Sequence, residues 1–255
     1  MKAIILSAGL GCRLRPTTEE LPKCLLPVHV NQPVLELQLR ALAQCGIRRI
    51  TIMVGHGAEK VERFLAARAS TPVIVQTRYN PFFATTNTLV TCWLAAPVMT
   101  EDFVLLNGDT LFDAEILQRI LAAPAAPLTM AIDRKTRYGE DAMKITLQGG
   151  RRLKAVSKTL PPSSANGESL GLMVFRGQGV AAFRAALDVV VRDPAALHKW
   201  YHDLINLMAD SLIIETENIQ GLWWKEIDTS NDLEEARAHL AARKQTEAAR
   251  LSARS

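Results

Sequence analysis

Arg13, Arg15 and Lys23 bring three cations into one short stretch, LSAGLGCRLRPTTEELPKCLLPV, residues 6–28. Gly9 and Gly11, just ahead of them, let the backbone turn tightly and present its N–H groups, as in a loop that cradles phosphate oxygens. Guanidinium and ammonium groups complement the same oxygens. Pro16 and Pro22 interrupt any long helix, so an extended, restrained loop is expected between Gly11 and Lys23. The stretch is suited to a polyanion. A dinucleotide fingerprint fits less well, because Leu14 stands where its third glycine belongs and prolines stand where its helix should continue. The G-x-x-x-x-G-K-[ST] pattern of a P-loop does not occur. A basic surface turn is the plainer reading of the same charges.

Two carboxylates accompany this loop. Asp109 follows Gly108 beyond the apolar run Phe103-Val104-Leu105-Leu106, and Asp228 ends the strand-like Trp223-Trp224-Lys225-Glu226-Ile227. The ligand crevice of an open α/β sheet lies outside the carboxyl ends of its strands, so acids placed there can serve a metal or a ligand. Either aspartate alone reads equally as a cap or turn residue. Two of them beside a phosphate loop point to a site. Asn80 in Tyr79-Asn80-Pro81 and Asn87 in Thr85-Thr86-Asn87-Thr88-Leu89 read first as helix-capping chemistry. The five histidines, His29, His56, His198, His202 and His239, show no ligand spacing and read as ordinary surface or core residues.

Gly9, Gly11, Arg13, Leu14, Pro16, Pro22, Lys23 and Pro27 form the pattern G-x-G-x-R-L-x-P…P-K…P-V. It resembles the signature of nucleotidyltransferases that activate sugar phosphates and phosphoalcohols. That resemblance implies that Arg13 and Lys23 are catalytic and bind the triphosphate, and that Asp109 and Asp228 hold Mg²⁺. It also implies that Leu6, Ser7, Ala8, Gly9 and Gly11, with Asn80 and Asn87, bind the nucleotide. The Y-N-P…T-N-T-L run is similar to the phosphocholine cytidylyltransferases in particular. So are Asp133, Asp141 to Lys144, Ser157-Lys158, Gly167-Glu168 with Gly171, and Glu226 to Thr229, which recur in enzymes acting on phosphocholine, aminoethylphosphonate and related phosphoalcohols. On that resemblance Lys144 and Lys158 meet the acceptor phosphate, and Asp133 and Glu168 face its other end. Lysines on a hairpin read otherwise as solvated strand edges. Trp200, Tyr201, Trp223 and Trp224 read either as core aromatics or as the frame of an amine.

Oxygen ligands suit Mg²⁺, and the ion neutralises charge on the α-phosphate and the leaving pyrophosphate. A phosphate or phosphonate nucleophile is already anionic at neutral pH, so the chemistry reduces to positioning two polyanions and screening their repulsion. The expected function is therefore transfer of CMP from CTP to phosphocholine or 2-aminoethylphosphonate, with release of pyrophosphate. A sugar-1-phosphate nucleotidylyltransferase using UTP, dTTP or GTP would share the loop and both aspartates. A non-catalytic, nucleotide-binding regulatory subunit is the reading from another class, and the joint presence of Arg13, Lys23, Asp109 and Asp228 opposes it.

The elements that must position these residues follow from periodicity. Ala3 to Leu6, Ile50 to Val54, Val73 to Val75 and Phe103 to Leu106 read as strands. Helices are expected over Pro33 to Cys45 with Gly46 as its cap, over Ala58 to Arg68, and around Leu89 to Leu94. This alternation predicts a parallel sheet covered on both faces. Further on, Leu128 to Ile132 reads as a strand, and Met143 to Leu147 with Leu153 to Val156 as a hairpin. Residues 161–167 read as a loop, Leu172 to Phe175 as a strand, Val180 to Val190 and Ala195 to Met208 as helices, and Trp223 to Ile227 as the last strand. A helix is expected from about Asp232. The fold class is α/β: a three-layer α/β/α sandwich with a mostly parallel sheet, nucleotide-diphospho-sugar transferase-like as the resemblance implies. Residues 1–238 are expected as one domain, with a nucleotide-binding half (1–110) and an acceptor-binding half (111–238), and residues 239–255 as a helical tail.

The 255 residues are enough to bury a sizeable core. A composition 48% hydrophobic and 22% charged is ordinary for a globular domain. The net charge of +4 is mild, with much of the excess near the C-terminus, so nucleic acid is not an expected partner. No apolar run reaches the length of a membrane span, and Met1-Lys2 leads straight into a strand with no room for a signal peptide. Cys12, Cys24, Cys45 and Cys92 show no C-x-x-C spacing, which predicts reduced thiols, no zinc and a cytoplasmic setting. CTP and a small phosphorylated acceptor are the expected partners, with no membrane and with a homodimer as the oligomeric expectation.

Overall fold

The computed structural model describes residues 1–30, 32–68 and 72–252. Strand β1 (Lys2–Ser7) runs into the glycine loop, which carries the one-turn helix α1 (Thr17–Glu20). A small hairpin, β2 (Pro27–His29) and β3 (Gln32–Pro33), precedes α2 (Val34–Gln44). The chain then alternates through β4 (Arg49–Val54), α3 (Ala58–Ala67), β5 (Ile74–Tyr79), α4 (Thr88–Ala95) and β6 (Phe103–Asn107). After β7 (Thr110–Phe112) and α5 (Ala114–Ala122) come β8 (Leu128–Asp133), β9 (Lys144–Gln148), β10 (Arg152–Ser157) and β11 (Gly167–Phe175). The chain closes with α6 (Gln178–Val190), α7 (Tyr201–Met208), β12 (Ile214–Asn218), β13 (Trp224–Glu226) and α8 (Ser230–Ser252).

Nine strands form one sheet in the order β5-β4-β1-β6-β11-β8-β12-β10-β9. Alternate residues of β1 serve opposite faces. Ala3 and Ile5 pack with α2, α3 and α5, whereas Ile4 and Leu6 pack with α4, α6 and α7. Successive side chains of a strand point to opposite faces, so a strand buried on both is apolar throughout. The expected coverage by helices on two faces is present.

The sheet itself is mixed rather than mostly parallel. Strands β5, β4, β1 and β6 are mutually parallel, as the alternating pattern of the first half requires. β11 runs antiparallel to both β6 and β8, and the β9–β10 and β10–β12 pairs are antiparallel as well. The turn Gly149-Gly150-Arg151 joins β9 to β10 directly, and a short connection leaves no length for a parallel crossover. β11 also begins at Gly167 rather than Leu172, taking up part of the expected loop. Its ladder with β8 shifts register between Ser169 and Met173, where Gly171 has φ 69°. A bulge of this kind breaks the alternation by which a strand is recognised.

Three further differences concern the second half. The helix expected over Ala195 to Met208 is split into a 3₁₀ turn at Pro194–His198 and α7. The strand expected at Trp223 to Ile227 is β13, and it pairs antiparallel with β7 in a separate two-stranded ribbon. Elements β7, α5 and β12 are additional to those expected there. The helix expected from about Asp232 starts at Ser230 and runs as α8 past residue 238; residues 253–255 of the tail lie outside the described residues. Among the described residues no helix is long and apolar enough to cross a membrane.

Candidate active site

A third, smaller cluster of buried residues fixes the site from below. It joins Leu14 and Leu26 of the glycine loop to Val34, Leu111, Ile227 and Leu233. Leu14 is the neighbour of Arg13, and Ile227 is the neighbour of Asp228. Burying each apolar residue therefore aims its charged neighbour the other way, into the crevice. The β7–β13 ribbon sets the longitudinal register: Glu226 lies opposite Thr110, and the Ile227 N–H donates to the Asp109 carbonyl at 2.9 Å. Residues more than a hundred positions apart are thereby held side by side.

At the end of β6 the Gly108 N–H donates to the Leu6 carbonyl at 2.8 Å. A Cβ on Gly108 would lie 2.7 Å from the Leu6 oxygen and from the Ser7 side chain, so only glycine lets these strand ends approach so closely. The Thr18 hydroxyl closes the loop by donating to the Gly11 carbonyl at 2.7 Å.

Asp109, Glu226 and Asp228 form a triad, with one carboxylate oxygen from each lying within 4.8 Å of the others. Lys23 Nζ donates to Asp109 Oδ2 at 3.0 Å and also to Asp228. Arg13 donates to Asp228 at 2.6 Å and to Asp141, and Asp141 accepts from Lys158 Nζ at 2.6 Å. Charge is shared across the whole group. Burial would lower the Lys23 pKa, but Asp109 and Asp228 outweigh it and the ammonium pKa is raised. Arg13 is raised in the same way, Asp228 and Asp141 prevailing over burial. For Asp141 burial acts upward, yet Lys158 and Arg13 draw its pKa below the usual carboxylate value. Glu226 goes the other way: burial, reinforced by Asp109 and Asp228, pushes it up.

Leu6, Ser7, Gly9, Gly11, Arg13, Lys23, Asp109, Lys158 and Asp228 all line the cavity above the triad. Ala8 is buried behind them, its carbonyl accepting from the His56 N–H at 3.1 Å. Asn80 and Asn87 are not brought into this lining. Asn80 is wholly buried, donating to Thr91 Oγ1 at 3.0 Å and accepting from the Phe82 N–H at 2.8 Å. Asn87 caps α4, accepting from the Thr88 N–H at 2.8 Å. Lys144 is likewise committed elsewhere. It is 1% exposed, and its ammonium donates to the carbonyls of Glu140 (2.7 Å), Ala142 (3.2 Å) and Gly139 (3.4 Å). That ammonium holds together the turn that presents Asp141. Asp133 and Glu168 are neighbours across β8 and β11; Glu168 lines an adjoining cavity with Trp224, whose indole N–H donates to Asp133.

Three residues of the site, Glu226, Asp141 and His202, have no role in the expected set, and Tyr201 stands there only as a core or amine-framing aromatic. Glu226 precedes Asp228 by two positions in an extended segment, the spacing that returns a side chain to the same face. Asp141 lies in the D-A-M-K run but carries no strand-end signature. Tyr201 and His202 reach the cavity wall from α7: the Tyr201 hydroxyl donates to Asn107 Oδ1 at 3.1 Å, and His202 Nε2 lies 3.2 Å from Ser169 Oγ. Burial lowers the His202 pKa to about 3, so this ring is neutral.

The family model described as "Nucleotidyl transferase" matches residues 2–242. Over 131 residues, 51% of the chain, the sequence is 37% identical to the CMP-5'-(3-aminopropyl)phosphonate synthase of Streptomyces rubellomurinus, of whose length it spans 20%. It is 24% identical to the CTP:phosphoglutamine cytidylyltransferase of Campylobacter jejuni over 92% of the chain and 98% of that protein. The solved structure of CTP:phosphocholine cytidylyltransferase from Streptococcus pneumoniae superposes with a TM-score of 0.72 at 21% identity, covering 94% of this chain and 98% of that one, a likeness of fold.

Proposed function

The chain belongs to the nucleotidyl transferase family, and from that premise we propose that it transfers CMP from CTP to a small phosphorylated amino alcohol or aminophosphonate, releasing pyrophosphate. The carrying observation is the convergence of Asp109, Glu226 and Asp228 with Lys23 and Arg13 of the glycine loop at one end of the sheet. The specific acceptor class is supported by the relatives that act on aminopropylphosphonate and phosphoglutamine.

In this reading the 1–110 half binds the nucleotide and the 111–238 half binds the acceptor, with the helical tail beyond. The N–H groups around Gly9 and Gly11 bind the triphosphate together with Lys23 and Arg13, and the backbone at Leu6 and Ser7 faces the base. The all-oxygen triad fits a hard divalent cation, and its partners in the structure are already cationic. Asp109, Glu226 and Asp228 would hold Mg²⁺, whose contribution is to neutralise charge on the α-phosphate and leaving pyrophosphate. Lys158 orients the acceptor phosphate. Its anionic oxygen attacks the α-phosphorus, the bond to the bridging oxygen breaks, and pyrophosphate departs with the electron pair. No general base is required. A reducing, cytoplasmic setting suits the four free cysteines.

Pyrophosphate release over a grid of nucleoside triphosphates and acceptors, with and without EDTA, tests the proposal. CTP with a phosphorylated amine and Mg²⁺ is the expected active combination. Turnover of UTP or GTP with glucose-1-phosphate alone would move the protein to the sugar-phosphate branch.

A further inference from the structure

Beside the triad cavity lies a second one, which shares Arg13, Asp141, Glu226 and Asp228 with it. Lys135, Glu168 and Trp224 of its lining belong to a cation seat that the chain fills itself. Lys135 Nζ pairs with Glu168 Oε1, stands 3.7 Å from Asp133 Oδ2 and lies 4.7 Å from the centroid of the Trp224 ring. The acids are fixed and nearly buried: Glu168 and Asp133 are 8% and 13% exposed, and Trp224 Nε1 donates to Asp133 at 2.9 Å. The lysine is 41% exposed and belongs to the segment between β8 and β9, outside any helix or strand. A rigid anionic seat has thus recruited a cation on a flexible stem.

Two nearly buried carboxylates need a counter-charge, since an unpaired buried charge is strongly unfavourable. Lys135 supplies it, but with a tether that costs little to withdraw provided another cation takes its place. The seat also discriminates among cations. Two carboxylates and one aromatic face suit a group with N–H bonds to donate. A quaternary ammonium has none and is held by enclosing aromatic faces, of which only Trp224 is recorded at this ammonium among the described residues.

With the acceptor's far end at Asp133 and Glu168, as the resemblance already implies, we propose that Lys135 is an internal competitor for this seat, and that it withdraws when an acceptor carrying a primary ammonium binds. The inference rests on the reading of the protein as a cytidylyltransferase of phosphorylated amines. It makes Lys135 a specificity-determining residue, setting a threshold that acceptors without an ammonium do not cross.

Trace acylation of the wild-type protein, read by peptide mass spectrometry as Lys135 labelling relative to the exposed Lys154, tests the exchange without any substitution. Ethanolamine and 2-aminoethylphosphonate are expected to raise Lys135 labelling several-fold, and tetramethylammonium at equal concentration to leave it unchanged. Protection of Lys135, or no response to either amine, would overturn the exchange. In steady-state kinetics Lys135→Met should lower KM for 2-aminoethylphosphonate by roughly tenfold, because a tethered competitor acts at an effective concentration in the millimolar range. The KM for CTP should move far less. A raised acceptor KM would make Lys135 a fixed counter-ion instead and sink the proposal, as would a wild-type preference for phosphocholine. Absence of turnover with every phosphorylated acceptor would defeat the functional reading alone, and the labelling response to ethanolamine would still decide the seat.

Discussion

Arg13 is the residue whose removal separates function from stability most cleanly. Its side chain is about half exposed, and its contacts are with acids of the site rather than with the core. Arg13→Ala should therefore leave the thermal melt nearly unchanged, since exposed ion pairs contribute little. Pyrophosphate release should fall by about 10²-fold or more, the usual consequence of removing a group aimed at developing charge. Unchanged kinetics would refute the loop assignment. Asp109→Asn and Asp228→Asn should each abolish Mg²⁺-dependent turnover, and Glu226→Gln should shift the Mg²⁺ titration to higher concentration. Activity surviving EDTA and all three changes would refute the metal reading. The loop and two aspartates were legible in the sequence because glycine and proline state backbone requirements directly. Lys144 was not, because a lysine's destination depends on which carbonyls the folded chain leaves within reach. Nor was Glu226, which in isolation is an ordinary polar position of a strand.

At the scale of elements, the site depends on two constructions that carry no charge of their own. The first is the contact between the ends of β1 and β6. Gly108→Ala would force its Cβ against the Leu6 carbonyl and the Ser7 side chain, both at 2.7 Å, and move Asp109 with it. A misplacement of about 1 Å costs roughly 10²-fold in rate when reacting groups must align, and a melt should show a lower Tm alongside lower kcat. The second is the turn held by Lys144. Lys144→Met keeps much of the apolar stem but removes the donor for three carbonyls. The expected loss is about 1–3 kcal/mol of stability, with an acceptor KM that rises as Asp141 loses its fixed position beside Lys158. An unaltered acceptor KM would show that the turn holds without the lysine. The parallel first half was readable from alternating apolar strands and helices. The antiparallel second half was not, because the β11 bulge at Gly171 and the separate β7–β13 ribbon are set by tertiary pairing rather than by local periodicity.

Across the whole molecule, one sheet carries both halves, and α7 ties its helical layer back to the site. Tyr201 bonds to Asn107 at the end of β6, and His202 meets Ser169 in β11, so this helix bridges the parallel and antiparallel parts of the sheet. His202 is only 4% exposed, and burial, with a smaller contribution from Lys158, depresses its pKa from 6.5 to about 3. The sign of the consequence follows from proton counting. Between these two values the unfolded chain binds a proton at this position that the folded chain does not. The stabilisation is therefore complete above about pH 6.5 and is lost progressively as pH falls towards 3. It should amount to on the order of a few kcal/mol at most, since a buried imidazole that must stay neutral couples fully to folding. Thermal melts from pH 7 to pH 4 should show the wild type losing stability more steeply than His202→Gln, whose amide reaches the position of Nε2 and can still bond to Ser169 but takes up no proton. Parallel curves for the two proteins would mean that acid acts elsewhere, on the paired carboxylates of the site. A steeper wild-type curve would identify α7 as the element through which acidity loosens the wall of the cavity.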